Sequence, residues 1–335
     1  MRSWEEMRSA MGTRAVTKAS PSRIFPGELR WERVGLLAAF LAMLGTYAVL
    51  SPNFLTLRNF TNVLMQSSSL LFLAGGQTVA ILSAGLDLSQ GSVVSLVSVV
   101  TAANIIQHGL IAGSLLGLAA GTLAGLINGL FVGKARIQPF IVTLGMFYVA
   151  SGAAMTYVNG SAVFGVPDPA RSQWFWFGGG YIGGLPTPVL LAAFGLAALH
   201  YVVTRTQFGR HVYALGGSEQ VAVLSGINVA RVKVWVYTLS GFMAAVGGYI
   251  LSARVISGQP LLGAGSLLLQ SIGAVVIGGT SLFGGEGSVL RTVLGVLFIA
   301  FMVNGLNILA ISTFVQDIII GSLIILSVWF STLRR

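Results

Sequence analysis

Cysteine is absent from the 335 residues, and charge is scarce: 19 Lys plus Arg and 9 Asp plus Glu amount to 8% of the chain. Without cysteine there are no disulfides, thiolate nucleophiles, or Cys-ligated zinc or iron–sulfur sites. Three scattered histidines, His108, His200 and His211, do not make up a metal site. A soluble domain carries about 25% charged residues, so a chain this poor in charge would expose more apolar surface than water tolerates. Soluble enzymes and nucleic-acid readers are excluded together. The phosphate-cradling loop G-x-x-x-x-G-K-[ST] is also missing. Its nearest approach, Gly129-Leu-Phe-Val-Gly-Lys-Ala135, has its first glycine one position too close and no hydroxyl after the lysine. Neither a His/Asp/Glu cluster of the kind found in membrane enzymes nor a series of buried acids for ion coupling is present. Asp87 and Asp317 are the only acids near an apolar run that loops do not readily accommodate.

What is there is apolar: 55% hydrophobic residues and a mean hydropathy of +0.85. The uncharged runs are continuous and long, whereas a barrel strand needs only about 10 alternating residues and a membrane helix about 20 apolar ones. The fold class read from this is an all-α integral membrane protein, a polytopic bundle of about ten transmembrane helices interrupted by helix breaks. The expected spans lie near 34–50, 60–83, 91–107, 110–132, 139–158, 188–203, 234–252, 265–282, 291–310 and 315–331, with a turn at His108-Gly109. Residues 1–33 are expected to form a cytoplasmic tail, and 34–335 a transmembrane domain including a cytoplasmic segment over 204–233.

The net charge of +10 reads as topology. Seven basic residues lie in the first 33, and Lys134, Arg136, Arg205, Arg210, Arg231, Lys233, Arg291, Arg334 and Arg335 fall on one side if both termini are cytoplasmic. The outer side receives Arg58, Arg171 and Arg254. The first apolar run follows an acid-containing tail and lacks a small-residue cleavage site, so it is read as a span and not as a signal peptide.

Glycines at 113, 117, 121, 125, 129 and 133 repeat every four residues. Such a ladder lets a neighbouring helix approach closely, and the expectation is a fourth helix at the centre of the bundle. Two stretches resist a helix reading, Ser83 to Ser92 and Ile277 to Ser288. Both are glycine-broken and end in Gly-Ser-Val, and non-helical backbone at membrane depth belongs beside protein or a water-filled path. Asp87 in the first is expected to cap the following helix, to line the path, or both. In the 204–233 segment, Ser218 is an N-cap, Glu219 complements the helix dipole, Val221, Ala222 and Leu224 form an apolar edge, and Gly226 ends the helix.

With Gly75 to Thr78, Gly85-Leu-Asp-Leu-Ser-x-Gly-Ser92, Asn128-Gly129, Gln138 to Gly145, Thr206-x-Phe-Gly-Arg210, Ala214 to Gly217, Leu224-Ser-Gly-Ile227 and Val276 to Ser288, the chain resembles the ribose-type monosaccharide permeases of ABC importers from about Phe54 onward. Gln220, Val221 and Val223 depart from the charged pattern usual in that family's docking helix. The resemblance implies a multi-pass protein of the bacterial inner membrane that is not itself an enzyme and imports a ribose-like monosaccharide. Its implied partners are a cytoplasmic ATP-binding cassette ATPase, which holds ATP and Mg, a periplasmic sugar-binding protein, a second permease copy and membrane lipid. The chain itself is expected to bind no cofactor, metal or nucleic acid. Asp87, Ser89, Asn128, Gln138, Thr143, Thr280 and Asn304 are expected along the substrate pathway, and Gly217, Glu219, Leu224, Gly226 and Ile227 at the contact with the ATPase. A branched-chain amino acid or nucleoside permease and an ATP-independent carrier or channel are the alternatives.

Overall fold

The computed structural model describes residues 28–332, with side chains over 35–329. Most of the expected tail, residues 1–27, lies outside the described residues, as do Arg334 and Arg335. From Glu28 the backbone is already helical, in α1 (Glu28–Leu50). The chain divides into Met1–Ala38 and Ala39–Arg335, and the packing that follows belongs to the second unit.

The remaining helices are α2 (Leu57–Leu82), α3 (Gln90–Gly133), α4 (Pro139–Tyr157), α5 (Ala170–Gly179), α6 (Thr187–Arg205), α7 (Gln207–Gly217), α8 (Glu219–Leu224), α9 (Val229–Val255), α10 (Ser266–Ile277), α11 (Val289–Ile308) and α12 (Thr313–Thr332). A two-residue antiparallel hairpin, β1 (Tyr181–Ile182) with β2 (Leu185–Pro186), precedes α6. Among the described residues, α3, α4, α6, α9 and α11 are long and apolar enough to cross a membrane. The protein is therefore an all-α membrane protein.

Local chemistry sets the boundaries. Thr56 caps α2 by accepting from the Asn59 amide at 3.2 Å, and Ser288 caps α11 by accepting from the Arg291 amide at 3.3 Å. Proline occupies the first turn of α4 and of α6, where no amide is needed. The 44 residues of α3 do not run straight. Gly109 (φ 82°, ψ 172°) breaks the helix where the turn is expected, and the following half folds back on the first. A Cβ on Gly113 would sit 2.6 Å from the Ile105 side chain, and one on Gly121 2.9 Å from that of Val97.

The glycine ladder continues onto a second partner. Gly121 faces Ala245, Gly125 faces Gly241, Gly129 faces Val234 and Gly133 faces Ala230, so α9 runs antiparallel along the same stripe. The expectation of a central fourth helix is nevertheless wrong. Leu115, Leu116, Leu123, Ile127, Leu130 and Phe131 on the other side of this half are exposed. A stripe of small residues secures close approach on one face, whereas a central helix must be covered on all of them. That helix is α2, every residue of which is buried from Ser67 to Leu82, with α9, α6, α10 and α11 packed against it. The span expected over 265–282 is also corrected. Helix α10 stops at Ile277 because Gly278 and Gly279 lead out of it, and its 12 residues measure about 18 Å, short of the roughly 30 Å hydrocarbon core.

Gly125→Leu places its side chain against backbone of α9, with Gly241 Cα 2.8 Å from the first added atom. The expected loss of stability is about 3 kcal/mol. Gly145→Ala, at an exposed helical glycine with nothing within 4 Å, should instead gain about 0.5–1 kcal/mol. Thermal unfolding in detergent compares the two, and equal melting would contradict the packing described.

Candidate functional site

Helix α2 ends inside the bundle. Ser83 closes it, Ala84 turns the chain through a left-handed conformation (φ 60°), and Gly85 passes against the Tyr237 hydroxyl, where no Cβ would fit. The chain then presents Asp87, which is 1% exposed. One carboxylate oxygen accepts from the Ser89 amide at 3.0 Å and the Ser89 hydroxyl at 2.6 Å, and the other accepts from the Ser240 hydroxyl of α9 at 2.6 Å. The expected capping takes a local form, an Asx-type turn onto the Ser89 amide. Ser89 itself occupies the N-cap of α3 and makes no side-chain capping bond.

From Asp87 the bonds spread across four helices. Asn128 Nδ2 donates to Ser89 Oγ at 2.9 Å. Gln90 Nε2 donates to Ser240 Oγ at 3.0 Å and to the Leu73 carbonyl at 3.1 Å, and Ser271 Oγ donates to Gln90 Oε1 at 3.4 Å. Each residue in this network is buried. Capacity is left over: Asn128 Oδ1, both amide atoms of Gln77, the Tyr237 hydroxyl and Thr280 Oγ1 are buried without a partner. Each such atom costs about 1–3 kcal/mol, so the interior holds several neutral donors and acceptors that the protein itself does not satisfy.

Of the expected pathway residues, Asp87, Ser89 and Asn128 are in this network. Thr143 borders it, donating to the Leu86 carbonyl at 3.3 Å and the Pro139 carbonyl at 3.0 Å. Thr280 is buried in the second break. That break touches the first, because the Gly285 amide donates to the Leu82 carbonyl at 3.0 Å and Gly284 packs on Ala84. Gln138 and Asn304 lie apart. Gln138 is exposed at the start of α4, while Asn304 exchanges two amide bonds with Asn59, at 2.8 and 3.0 Å, at the opposite end of α2. Ser240, Gln90, Gln77 and Ser271 were missed. Their only signal is a polar side chain inside an uncharged run, which many lone serines share. Asp317, the other acid singled out, is exposed on α12.

The segment between α6 and α9 meets both breaks from outside. Gly216 lies against the Leu82 carbonyl and the Gly285 amide, with no room for a Cβ. Tyr213 donates to the Gly287 carbonyl at 2.9 Å, and burial holds its hydroxyl above the ordinary phenol range, against the pull of Arg291. Ser218 caps α8 as expected, accepting from the Val221 amide at 3.3 Å. Glu219 pairs with Lys233 at 2.8 Å, the only ion pair among the described residues. The apolar edge differs from expectation: Val221, Val223 and Leu224 point outward, Leu224 being 87% exposed, while Ala222 is buried. On a single short turn the residue facing the bundle must be small. Gly217 is exposed, Gly226 (φ 79°) ends the turn, and Ile227 is half-buried against the core. Between α8 and the first break lies a cavity of about 190 Å³ lined by Ser83, Gly85, Pro139, Glu219, Lys233 and Tyr237.

Residues 59–328 match the family described as branched-chain amino acid transport system / permease component. The chain is similar to the ribose import permease protein RbsC of Escherichia coli (strain K12), 41% identical over 293 residues that cover 87% of this chain and 91% of that one. RbsC of Bacillus subtilis (strain 168) is 39% identical, over 89% of this chain and 92% of its own. The D-allose transport system permease protein AlsC of Escherichia coli (strain K12) is 34% identical, over 94% of this chain and 96% of its own. No solved structure matches.

Asp87→Asn keeps an acceptor for Ser89 but leaves the Ser240 hydroxyl proton without one, whereas Asp87→Leu strands both serines. The expected losses are about 1–3 kcal/mol for Asn and roughly twice that for Leu. Melting temperatures in detergent should rank wild type, Asn, Leu, and a Leu variant as stable as wild type would contradict the network.

Proposed function

We propose, from the premise that this chain belongs to the branched-chain amino acid transport system / permease component family, that it is the membrane subunit of an ABC importer for a ribose-like monosaccharide. The observation that carries the proposal is the buried network around Asp87, whose carboxylate is already engaged by three donors, together with unpartnered groups in the same interior that are all neutral. A sugar offers hydroxyls to such groups. An amino acid would need a charge or helix end for each of its termini, which argues against a branched-chain amino acid despite the family's description. Relatives named for ribose and for allose support the sugar class.

Both termini are placed in the cytoplasm, with about ten crossings if α3 counts as two and the short α10 together with the non-helical break after it counts as one. This puts α7 and α8 on the cytoplasmic face with most of the short-loop arginines and lysines. The outward-pointing Val221, Val223 and Leu224 then offer a cytoplasmic ATPase an apolar contact. A periplasmic binding protein delivers the sugar at the far side, and a second permease copy completes the pathway. The ATPase supplies ATP and Mg. Asp87 positions the break by hydrogen bonding and does not serve as a proton carrier during transport.

The test is uptake into proteoliposomes of the assembled transporter with ATP inside. Glu219→Lys, which sets two cations face to face, and Gly226→Trp, which strains a left-handed turn without filling any space, should each reduce uptake about 5- to 150-fold while leaving the permease folded. Uptake by wild type should be unaffected by an uncoupler at constant ATP. Uncoupler-sensitive uptake would overturn the ATP-driven reading, and uptake that persists without the ATPase would favour a carrier.

A further inference from the structure

One side of the bundle is open where α6 and α9 both lean on α2 without closing over it. The gap is an apolar groove of about 360 Å³. Phe72 of α2 forms its floor. Leu191, Phe194 and Ala198 of α6 make one wall, and Leu239 and Phe242 of α9 the other. Gly195 has no side chain, which lets the Phe72 ring lie between the walls; a Cβ there would be 2.5 Å from the ring. A second hollow of about 270 Å³, lined by Val202, Phe208, Trp235 and Leu239, shares Val202 and Leu239 with the first and extends it toward α7.

Its length, chemistry and ends fit one kind of occupant. From Leu191 to Val202 the wall rises about 16 Å, half of a roughly 30 Å hydrocarbon core and so the depth of one leaflet. At the α7 end the lining becomes aromatic. Trp235 is 59% and neighbouring Tyr201 63% exposed, as expected for rings at headgroup level. One helical turn beyond the groove on the same faces come two cations, Arg205 three residues after Val202 and Arg231 four residues before Trp235. Both are exposed, and neither has an ion-pair partner among the described residues. No acid occurs in α6, α7 or α9. Basic residues at the mouth of a cleft between membrane helices attract an anionic headgroup.

We propose that this groove is a binding site for an anionic glycerophospholipid, with one acyl chain lying on Phe72 between α6 and α9 and the phosphate held by Arg205 and Arg231 beside Trp235. Its mouth adjoins α7, the helix whose Gly216 touches the Leu82 end of α2, so an occupied site braces α6 and α9 beside the junction of the two breaks.

Native mass spectrometry of the full-length detergent-solubilised chain tests this, with phosphatidylglycerol and phosphatidylcholine of identical acyl chains as probes. Phosphatidylglycerol is expected to be retained about tenfold more strongly. Arg205→Gln with Arg231→Gln should abolish that preference, Arg205→Lys with Arg231→Lys should keep most of it, and Ala198→Trp, which fills the groove from its open side, should weaken both lipids. Equal retention of the two lipids by wild type would overturn the proposal, as would a preference unchanged in the double Gln variant. The chain has no cysteine, so Phe194→Cys also reports the occupant. Ready disulfide formation between copies in membranes would show that a second copy covers the groove and would overturn the lipid assignment.

Discussion

Hydrocarbon offers no partner to a polar group, so every donor and acceptor taken into this bundle has to be met by the protein or by what passes through it. The arrangement around Asp87 follows from that constraint. Its carboxylate is met by two serines, those serines by an asparagine and a glutamine, and the glutamine by a third serine on α10. The broken backbone is admitted at membrane depth because α2, α3 and α9 enclose it. The least apolar long helix, with three consecutive serines, Gln77 and Thr78, is the one covered along most of its length, since lipid cannot solvate those groups and neighbouring helices can.

Close approach of helices makes such enclosure possible. Apolar burial drives little association in lipid, and contact area between backbones has to supply it. The glycines of α3 bring its second half against both its first half and α9, and Gly241 answers Gly125 across the interface. This contact sets Ser240, one residue before Gly241, opposite the loop that carries Asp87. Packing geometry and polar chemistry are thus one arrangement: the glycine seam positions the hydroxyl that completes the carboxylate's coordination.

The two helix breaks and α7 are in direct contact, and the cavity under α8 borders the first break. Contacts at Gly216, Leu82 and Gly285 are backbone against backbone, with little slack, so a displacement of α7 reaches the end of α2 and the loop bearing Asp87. The groove on Phe72 adjoins this contact on its lipid side, so the surrounding bilayer has a place beside the same junction.

The membrane class, the turn at Gly109, the two breaks, the Ser218 cap and Gly226 were legible in the sequence, because each depends on composition or on a few adjacent residues. Long uncharged runs have no other stable solution, and a glycine or a capping serine acts within one turn. The family motifs likewise marked Asp87, Ser89 and Asn128. Which helix lies at the centre, which lone polar residues join Asp87, and where Gln138 and Asn304 stand apart were decided only by the tertiary structure. Ser240 is separated from Asp87 by 153 residues, and nothing local distinguishes it from a serine facing elsewhere. A small-residue stripe shows that a neighbour comes close and is silent about which neighbour, or about what covers the opposite face, because those depend on how all the helices share a limited interior.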